Sequence, residues 1–253
     1  MAVPKSQRLP ILYEDADLVA IDKPSGLATI PGRGETDSVL QRLSRQLGLP
    51  YVGTDDPRLR LVHRLDKETS GVLLLARNLR AQRHLSHQFQ NNTATKEYLA
   101  LVVGHPSGDE GQIDAPIGPH PSSPQRMAVR RHGGRPARTL WRVEQRFKHF
   151  TLLRVFPKTG KTHQIRVHLG HIGLPLAVDP LYNPQAPPLL LSSIKRDYRI
   201  KPGEPERPLI DRLTLHAEKL SVIHSNGTPL ALLAPLPRDF RAVLNMLAKY
   251  DRD

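Results

Sequence analysis

Short apolar runs separated by polar turns dominate this chain, and only a few segments carry the wider apolar spacing of helices. Ile11-Leu12-Tyr13 and Leu18-Val19-Ala20-Ile21 flank an acidic turn at Glu14-Asp15-Ala16-Asp17, which predicts two short strands broken by Lys23-Pro24-Ser25-Gly26. Thr36-Asp37-Ser38 reads as a helix start, since Val39, Leu40, Leu43 and Leu47 follow at helical spacing and Gly48 ends the run. The run Val72-Leu73-Leu74-Leu75-Ala76 predicts a buried strand. Leu79 to Gln90, with Leu85 and Phe89 four apart, predicts a second helix, and Glu97 to Val103 a strand closed by Gly104.

From Gly104 to Pro136 glycine and proline are dense, as in loops with short extended pieces. Arg126–Arg130 and Ala137–Val143, on either side of Gly133-Gly134, predict a hairpin with a glycine turn. Thr151–Phe156 and Leu213–Ile223 read as strands. Thr162–Leu169, with Gly173 beyond it as a cap, reads as a helix, and so does Asp239–Tyr250, with Val243, Met246, Leu247 and Tyr250 on its apolar side. Pro180–Pro208 is proline-rich and basic, a predicted surface insertion whose role within 183–208 stays open. Strands outnumber helices without a regular βαβ series, so the expected class is α+β, a mixed and largely antiparallel sheet with flanking helices. With no repeat or linker-like tract, the expected organisation is a tail over 1–10 and one domain over 11–253.

Charge narrows the partners. Lys and Arg number 37 against 24 Asp and Glu, a net charge of +13, which points to a polyanion, RNA or DNA first. No long basic amphipathic helix suggests a membrane surface instead. The absence of cysteine excludes disulfides, thiolate zinc sites and a cysteine nucleophile. The start, Met1-Ala2-Val3-Pro4-Lys5, lacks the apolar core of a signal peptide, and no run is long enough to span a bilayer, so the expected location is the cytoplasm. Basic residues crowd between Ala115 and Lys158. Arg130, Arg131 and Arg135 beside Gly133-Gly134 suit a finger that grips RNA phosphates.

Candidate chemistry centres on His63-Arg64-Leu65-Asp66-Lys67-Glu68-Thr69-Ser70-Gly71. Taken alone, an Asp here is a turn residue. The order of this stretch, however, resembles the active-site loop of the RluA-type pseudouridine synthases. Lys96-Glu97-Tyr98-Leu99-Ala100-Leu101-Val102-Val103-Gly104 and Gly160-Lys161-Thr162-His163-Gln164-Ile165-Arg166-Val167-His168 resemble two further segments of that family. Ile21-Asp22-Lys23-Pro24-Ser25-Gly26, Asp179-Pro180-Leu181-Tyr182 and Leu215-His216-Ala217 follow in the family's order. Lys161 and the Ala177-Val178 before Asp179 depart from the family's usual residues without touching the chemical groups. The resemblance runs from about Ile11 to Phe240. That leaves no room before it for the S4-like domain that many relatives carry.

The resemblance implies the pseudouridine-synthase fold, with a basic central cleft, and an isomerase working on tRNA or rRNA. The N1–C1′ bond of uridine breaks, the base turns, and C5 bonds to C1′. Redox state and composition do not change, so neither cofactor nor metal is required. By the same resemblance Asp66 is the catalytic carboxylate, Arg166 its guanidinium partner, and Tyr98 the stacking residue and acceptor of the C5 proton. Arg64, beside His63, fills the stack left by the flipped base. His163, His168 and His171 have no acidic or cysteine companion at ligand spacing, so no metal site is expected. Asp66 and Glu68 diverge in an extended segment, which speaks against a glycosidase pair. A non-catalytic RNA-binding module or chaperone is the alternative reading. A monomer is expected, since nothing suggests an obligate dimer.

Overall fold

A computed structural model describes residues 7–32, 37–50, 58–199 and 203–252. Its elements in chain order begin with β1 (Ile11–Glu14), β2 (Leu18–Lys23), α1 (Val39–Leu47), β3 (Arg60–Leu61), β4 (Ser70–Ala76), α2 (Leu79–Gln90) and β5 (Thr95–Val103). Next come β6 (Glu110–Asp114), β7 (Ile117–His120), β8 (Ser123–Val129), β9 (Arg138–Arg146) and β10 (Phe150–Pro157). The rest are α3 (Gln164–His171), α4 (Leu191–Ile194), β11 (Leu215–Ile223), β12 (Pro229–Leu233) and α5 (Arg238–Tyr250). The α+β class with a mixed, largely antiparallel sheet is as expected: β4 and β11 run parallel, and the other ladders described below are antiparallel.

The chain divides into two compact units. The first holds residues up to Glu97 together with His216–Pro235. Here β4 is the central strand, buried throughout. It pairs with β2 (Leu18↔Ala76 to Lys23↔Gly71) and with β3, and runs parallel to β11 through Ser70 and Gly71 opposite His216 and Ala217. A strand buried on both faces reads as an unbroken apolar run, which is how Val72–Ala76 looks in sequence. Helix α2 lays Ala81 and Leu85 on a core of Leu18, Ala20, Val72, Leu74 and Leu220. Both helices start where their caps direct. Ser38 Oγ accepts from the Gln41 N–H, Asn78 Oδ1 accepts from the Ala81 N–H, and Gly48 ends α1 in the left-handed conformation. Thr36 lies outside the described residues. So does 1–6 of the expected tail, of which Leu9 is buried and exchanges both backbone groups with the Gln46 amide.

The second unit holds Tyr98–Leu215 and Leu236–Asp253. Strand β10 pairs with β5 and β9, and β9 with β6. One core, with Ala100, Val102, Trp141, Leu153 and Val155, receives Ile165 and Leu169 of α3. Another gathers Leu99, Leu101, Leu152 and Ile210 around Phe240, Val243 and Leu247 of α5.

Two expectations fail in this unit. Arg126–Arg130 does not pair with Ala137–Val143: β8 pairs with β7 (Ile117↔Val129, Pro119↔Met127), whereas β9 belongs to the sheet. Gly133-Gly134 is therefore not a hairpin tip. The Arg130 N–H donates to Pro116, and Arg135 exchanges both backbone hydrogen bonds with Ile117, so the 130–136 loop folds back on the start of β7. A Cβ on Gly134 would stand 2.2 Å from the Arg130 carbonyl oxygen, and that approach explains the glycine. Ile117-Gly118-Pro119-His120 hid as a strand because glycine and proline weaken strand propensity. Pro119 is tolerated because its nitrogen, like the Ile117 N–H, faces away from β8. The 180–208 stretch is likewise more than a surface insertion. Leu189 and Ile194 are buried against the α5 core, and the Leu209 N–H donates to Leu189. Residues 200–202 lie outside the described residues.

Candidate active site

In the first unit the loop between His63 and Ser70 has its backbone held at every carbonyl from Leu65 to Glu68. Thr29 Oγ1 donates to Leu65 (2.9 Å) and Ser25 Oγ to Glu68 (2.6 Å). The Thr69 N–H donates to Asp66 (3.1 Å), and the Gly26 N–H to Lys67 (3.0 Å). Lys67 also receives Lys23 Nζ at 2.8 Å. Lys23 ends β2 fully buried, and its Nζ donates as well to Pro24 (2.8 Å) and Leu27 (2.7 Å). Burial pushes this amine down to about 7, opposed by the carboxylates of Glu68 and Asp66. Three acceptors at ammonium distance match three N–H donors, so the geometry favours the charged form. Thus the 23–29 segment clamps the loop that presents Asp66, which is half-buried.

His63 and Arg64, expected together at the RNA, part company. Arg64 is exposed. The His63 ring stacks on Phe89 (centroids 4.5 Å apart, planes 14°), and its Nε2 accepts from the Leu74 N–H at 3.0 Å. Burial, with Lys96 nearby, pushes its pKa down to about 3. His63 is therefore a neutral strut under the loop and brings no positive charge to phosphate. At the loop's far end, Gly71 has φ +117, and a Cβ there would meet the Ala217 carbonyl oxygen at 2.1 Å. Ser70 Oγ bonds His216 Nδ1 at 3.0 Å, so the Leu215-His216-Ala217 motif supports the loop's exit.

In the second unit Tyr98 lies on β5 opposite Val155, half-buried against the core. Helix α3 starts at Gln164, two residues later than expected, because His163 takes the left-handed conformation (φ 55) at the N-cap. The first six residues of α3 are buried, and its polar members are satisfied. Gln164 accepts from Thr159 and Lys161 and donates to Arg138 and Thr139. His168 Nε2 donates to Ala115 (2.9 Å), so Nδ1 accepts from Thr139 (2.8 Å) and burial keeps the ring neutral. Arg166 is buried in a bidentate pair with Asp179, Nε to Oδ2 at 2.8 Å and Nη2 to Oδ1 at 2.6 Å. Asp179 Oδ1 also accepts from the N–H groups of Leu181 and Tyr182. In the sequence Asp179 stands out only as part of a motif. An aspartate thirteen residues beyond an arginine carries no spacing signal for this pair. Asp66 and Arg64 thus stand in one unit, Tyr98 and Arg166 in the other.

The basic residues separate by partner. Arg138 pairs with Asp114, Arg146 with Asp109, and Arg154 with Glu144. Among the described residues no carboxylate lies within ion-pairing distance of Arg126, Arg130, Arg131 or Arg135, on β8 and the loop after it. Arg131 and Arg135 are exposed and Arg130 half-buried. No group of three or more His, Asp or Glu among the described residues could hold a metal ion, and no described helix is long and apolar enough to cross a membrane.

The family model described as RNA pseudouridylate synthase matches residues 17–171. The ribosomal large subunit pseudouridine synthase D of Nitrosomonas europaea is 42% identical over 241 residues, covering 94% of this chain and 65% of that protein. Its namesake in Xanthomonas campestris is 40% identical over 255 residues, covering 97% and 71%. This chain therefore spans about two thirds of these relatives' length. Among solved structures, human RNA pseudouridylate synthase domain containing 4 superposes with TM-score 0.70 at 26% identity, covering 94% of this chain and 93% of that one.

Proposed function

The chain belongs to the RNA pseudouridylate synthase family, and from that premise we propose that it isomerises uridine to pseudouridine in large-subunit ribosomal RNA. The observation that carries the reading is the clamped loop, which holds the Asp66 backbone at Leu65, Asp66, Lys67 and Glu68 in one conformation. A preorganised carboxylate costs no reordering when the nucleoside arrives. The N1–C1′ bond breaks with its electron pair on N1, C5 bonds to C1′, and the C5 proton leaves to a base while N1 regains one. Atoms and charge balance without cofactor or metal. In this reading Asp66 acts on the nucleoside, Tyr98 stacks on the uracil and takes the C5 proton, and Arg166 supplies the positive charge that keeps the carboxylate ionised.

A uridine stacked in RNA must be everted first, at a cost of a few kcal/mol. Exposed Arg64 suits the vacated stack, being planar and cationic. Arg130, Arg131 and Arg135, which have no acidic partner among the described residues, suit the phosphates. The relatives' name, ribosomal large subunit pseudouridine synthase D, favours ribosomal over transfer RNA. A cytoplasmic monomer acting on RNA alone completes the proposal.

The test is tritium release from C5-labelled, unmodified large-subunit ribosomal RNA, beside labelled transfer RNA. Asp66→Asn should abolish release and leave RNA binding near wild type. Release surviving that substitution would remove Asp66 from the mechanism. Release from transfer RNA alone would reassign the substrate, and free uracil would mean hydrolysis.

A further inference from the structure

We propose that Tyr182 is a positioning residue that ties the RNA-gripping β7–β8 hairpin to helix α3, so that capture of RNA and orientation of Arg166 are linked. The inference rests on the proposed role of Arg166 and deepens it.

Tyr182 meets both partners at once. Its Oη accepts from the Met127 N–H of β8 at 2.8 Å and lies 2.8 Å from His163 Nδ1, at the start of α3. With one lone pair taken by Met127, the hydroxyl proton is free to point at His163 Nδ1. Met127 can make this bond because of its register. It stands opposite Pro119, two positions from the Ile117–Val129 pair, where Ile117 turns its backbone away from β8 to bond Arg135. By alternation the Met127 N–H also faces outward, toward Tyr182.

The ring makes the second connection. The guanidinium carbon of Arg166 lies over it, 4.9 Å from the centroid, and that of Arg126 from β8 lies over it at 5.3 Å. Arg126 Nε is buried with no hydrogen-bond partner among the described residues, so the hairpin holds an unspent cationic donor beside the ring. The Tyr182 N–H bonds Asp179, the same carboxylate that fixes Arg166. One side chain therefore touches the hairpin backbone, a hairpin arginine, the helix N-cap and Arg166. Its apolar edge packs with Met127 and Val129 on Ile117, Ala137 and Val167. A phenylalanine would keep that packing and both cation–π contacts while losing the hydroxyl's bonds to Met127 and His163.

The test is a double-mutant cycle on single-turnover tritium release from C5-labelled large-subunit ribosomal RNA, with Tyr182→Phe, Arg130→Ala and the pair. Loss of the hydroxyl strands a backbone donor, and the rate at saturating RNA should fall about tenfold, with the half-saturating RNA concentration rising. Arg130→Ala should then cost at least about threefold less in the Tyr182→Phe background than in the wild type. Independent, multiplicative effects would overturn the inference. So would a lowered melting temperature with unchanged saturating rate and half-saturation, the mark of a merely structural tyrosine. Should Tyr182→Phe fail to fold, His163→Gly enters the same cycle: glycine tolerates the left-handed conformation and removes the Nδ1 partner from the helix side. A wild-type protein that releases no tritium would overturn the assigned activity and this inference with it. Release by the wild type with independent effects would overturn this inference alone.

Discussion

Asp179→Asn should be among the most damaging conservative substitutions in the second unit. Asp179 Oδ1 accepts three donors: Arg166 Nη2 at 2.6 Å and the N–H groups of Leu181 and Tyr182 at 3.0 Å each. Oδ2 accepts Arg166 Nε at 2.8 Å. An asparagine must keep its single oxygen at the Oδ1 position, because three donors converge there. Its NH₂ then faces the Arg166 Nε–H, donor against donor, in a site where the two side chains are 1% and 5% exposed. The guanidinium is left buried beside a neutral, wrongly directed amide. Removing one partner of a buried pair costs about 3–5 kcal/mol, a large share of the roughly 5–15 kcal/mol that holds a domain folded. The single tryptophan, Trp141, is buried in the same unit and reports on it. Urea unfolding followed by its fluorescence should show a lower midpoint with an unchanged slope. Tritium release in the folded range should fall as well, since Arg166 loses its anchor. A loss below about 1 kcal/mol would refute the argument, because it would mean that water or another group already screens the pair.

The first unit supplies three further predictions. Lys23→Met removes the donor shared by three carbonyls and should cost about 3 kcal/mol or more, with tritium release reduced in the folded protein; urea unfolding and the release assay check both. Gly71→Ala drives a Cβ into the Ala217 backbone at positive φ, where no flexible side chain can yield, and should cost at least about 3 kcal/mol or prevent folding, read by soluble yield and thermal melting. His63 has a folded pKa of about 3 against about 6.5 when unfolded, so its contribution is complete above pH 6.5 and is lost as pH falls toward 3. Between pH 7 and pH 5 the wild type should lose about 2 kcal/mol from this group. His63→Gln should lose less over the same interval, and equal losses in urea unfolding would refute the neutral ring stacked on Phe89.

Much of the architecture was legible in the sequence because it depends on neighbours along the chain. Helix α2 follows from the Leu85–Phe89 spacing, β4 from an unbroken apolar run, and the turn before β2 from Asp15, whose Oδ1 accepts the N–H groups of Asp17 and Leu18. The chemical candidates Asp66, Tyr98 and Arg166 were legible as ordered motifs. What escaped depends on partners far apart in sequence. Arg126–Arg130 and Ala137–Val143 are each plausible strands, but which strands pair is settled by whether the glycine loop bonds itself or, as here, folds back on Ile117. The proline-rich 180–208 stretch looked solvated until Leu189 and Ile194 found the α5 core.

Local pattern thus determined most of the elements, the excess of positive charge and the candidate reactive groups, since propensity, capping and chemical type belong to single residues and short windows. Only the tertiary structure decided that a lysine closing β2 would hold the Asp66 loop from 44 residues away, and that Arg166 would meet Asp179 in a bidentate pair. A buried charge accepts whichever counter-group the packed chain brings within hydrogen-bonding reach, and no spacing along a sequence encodes that distance.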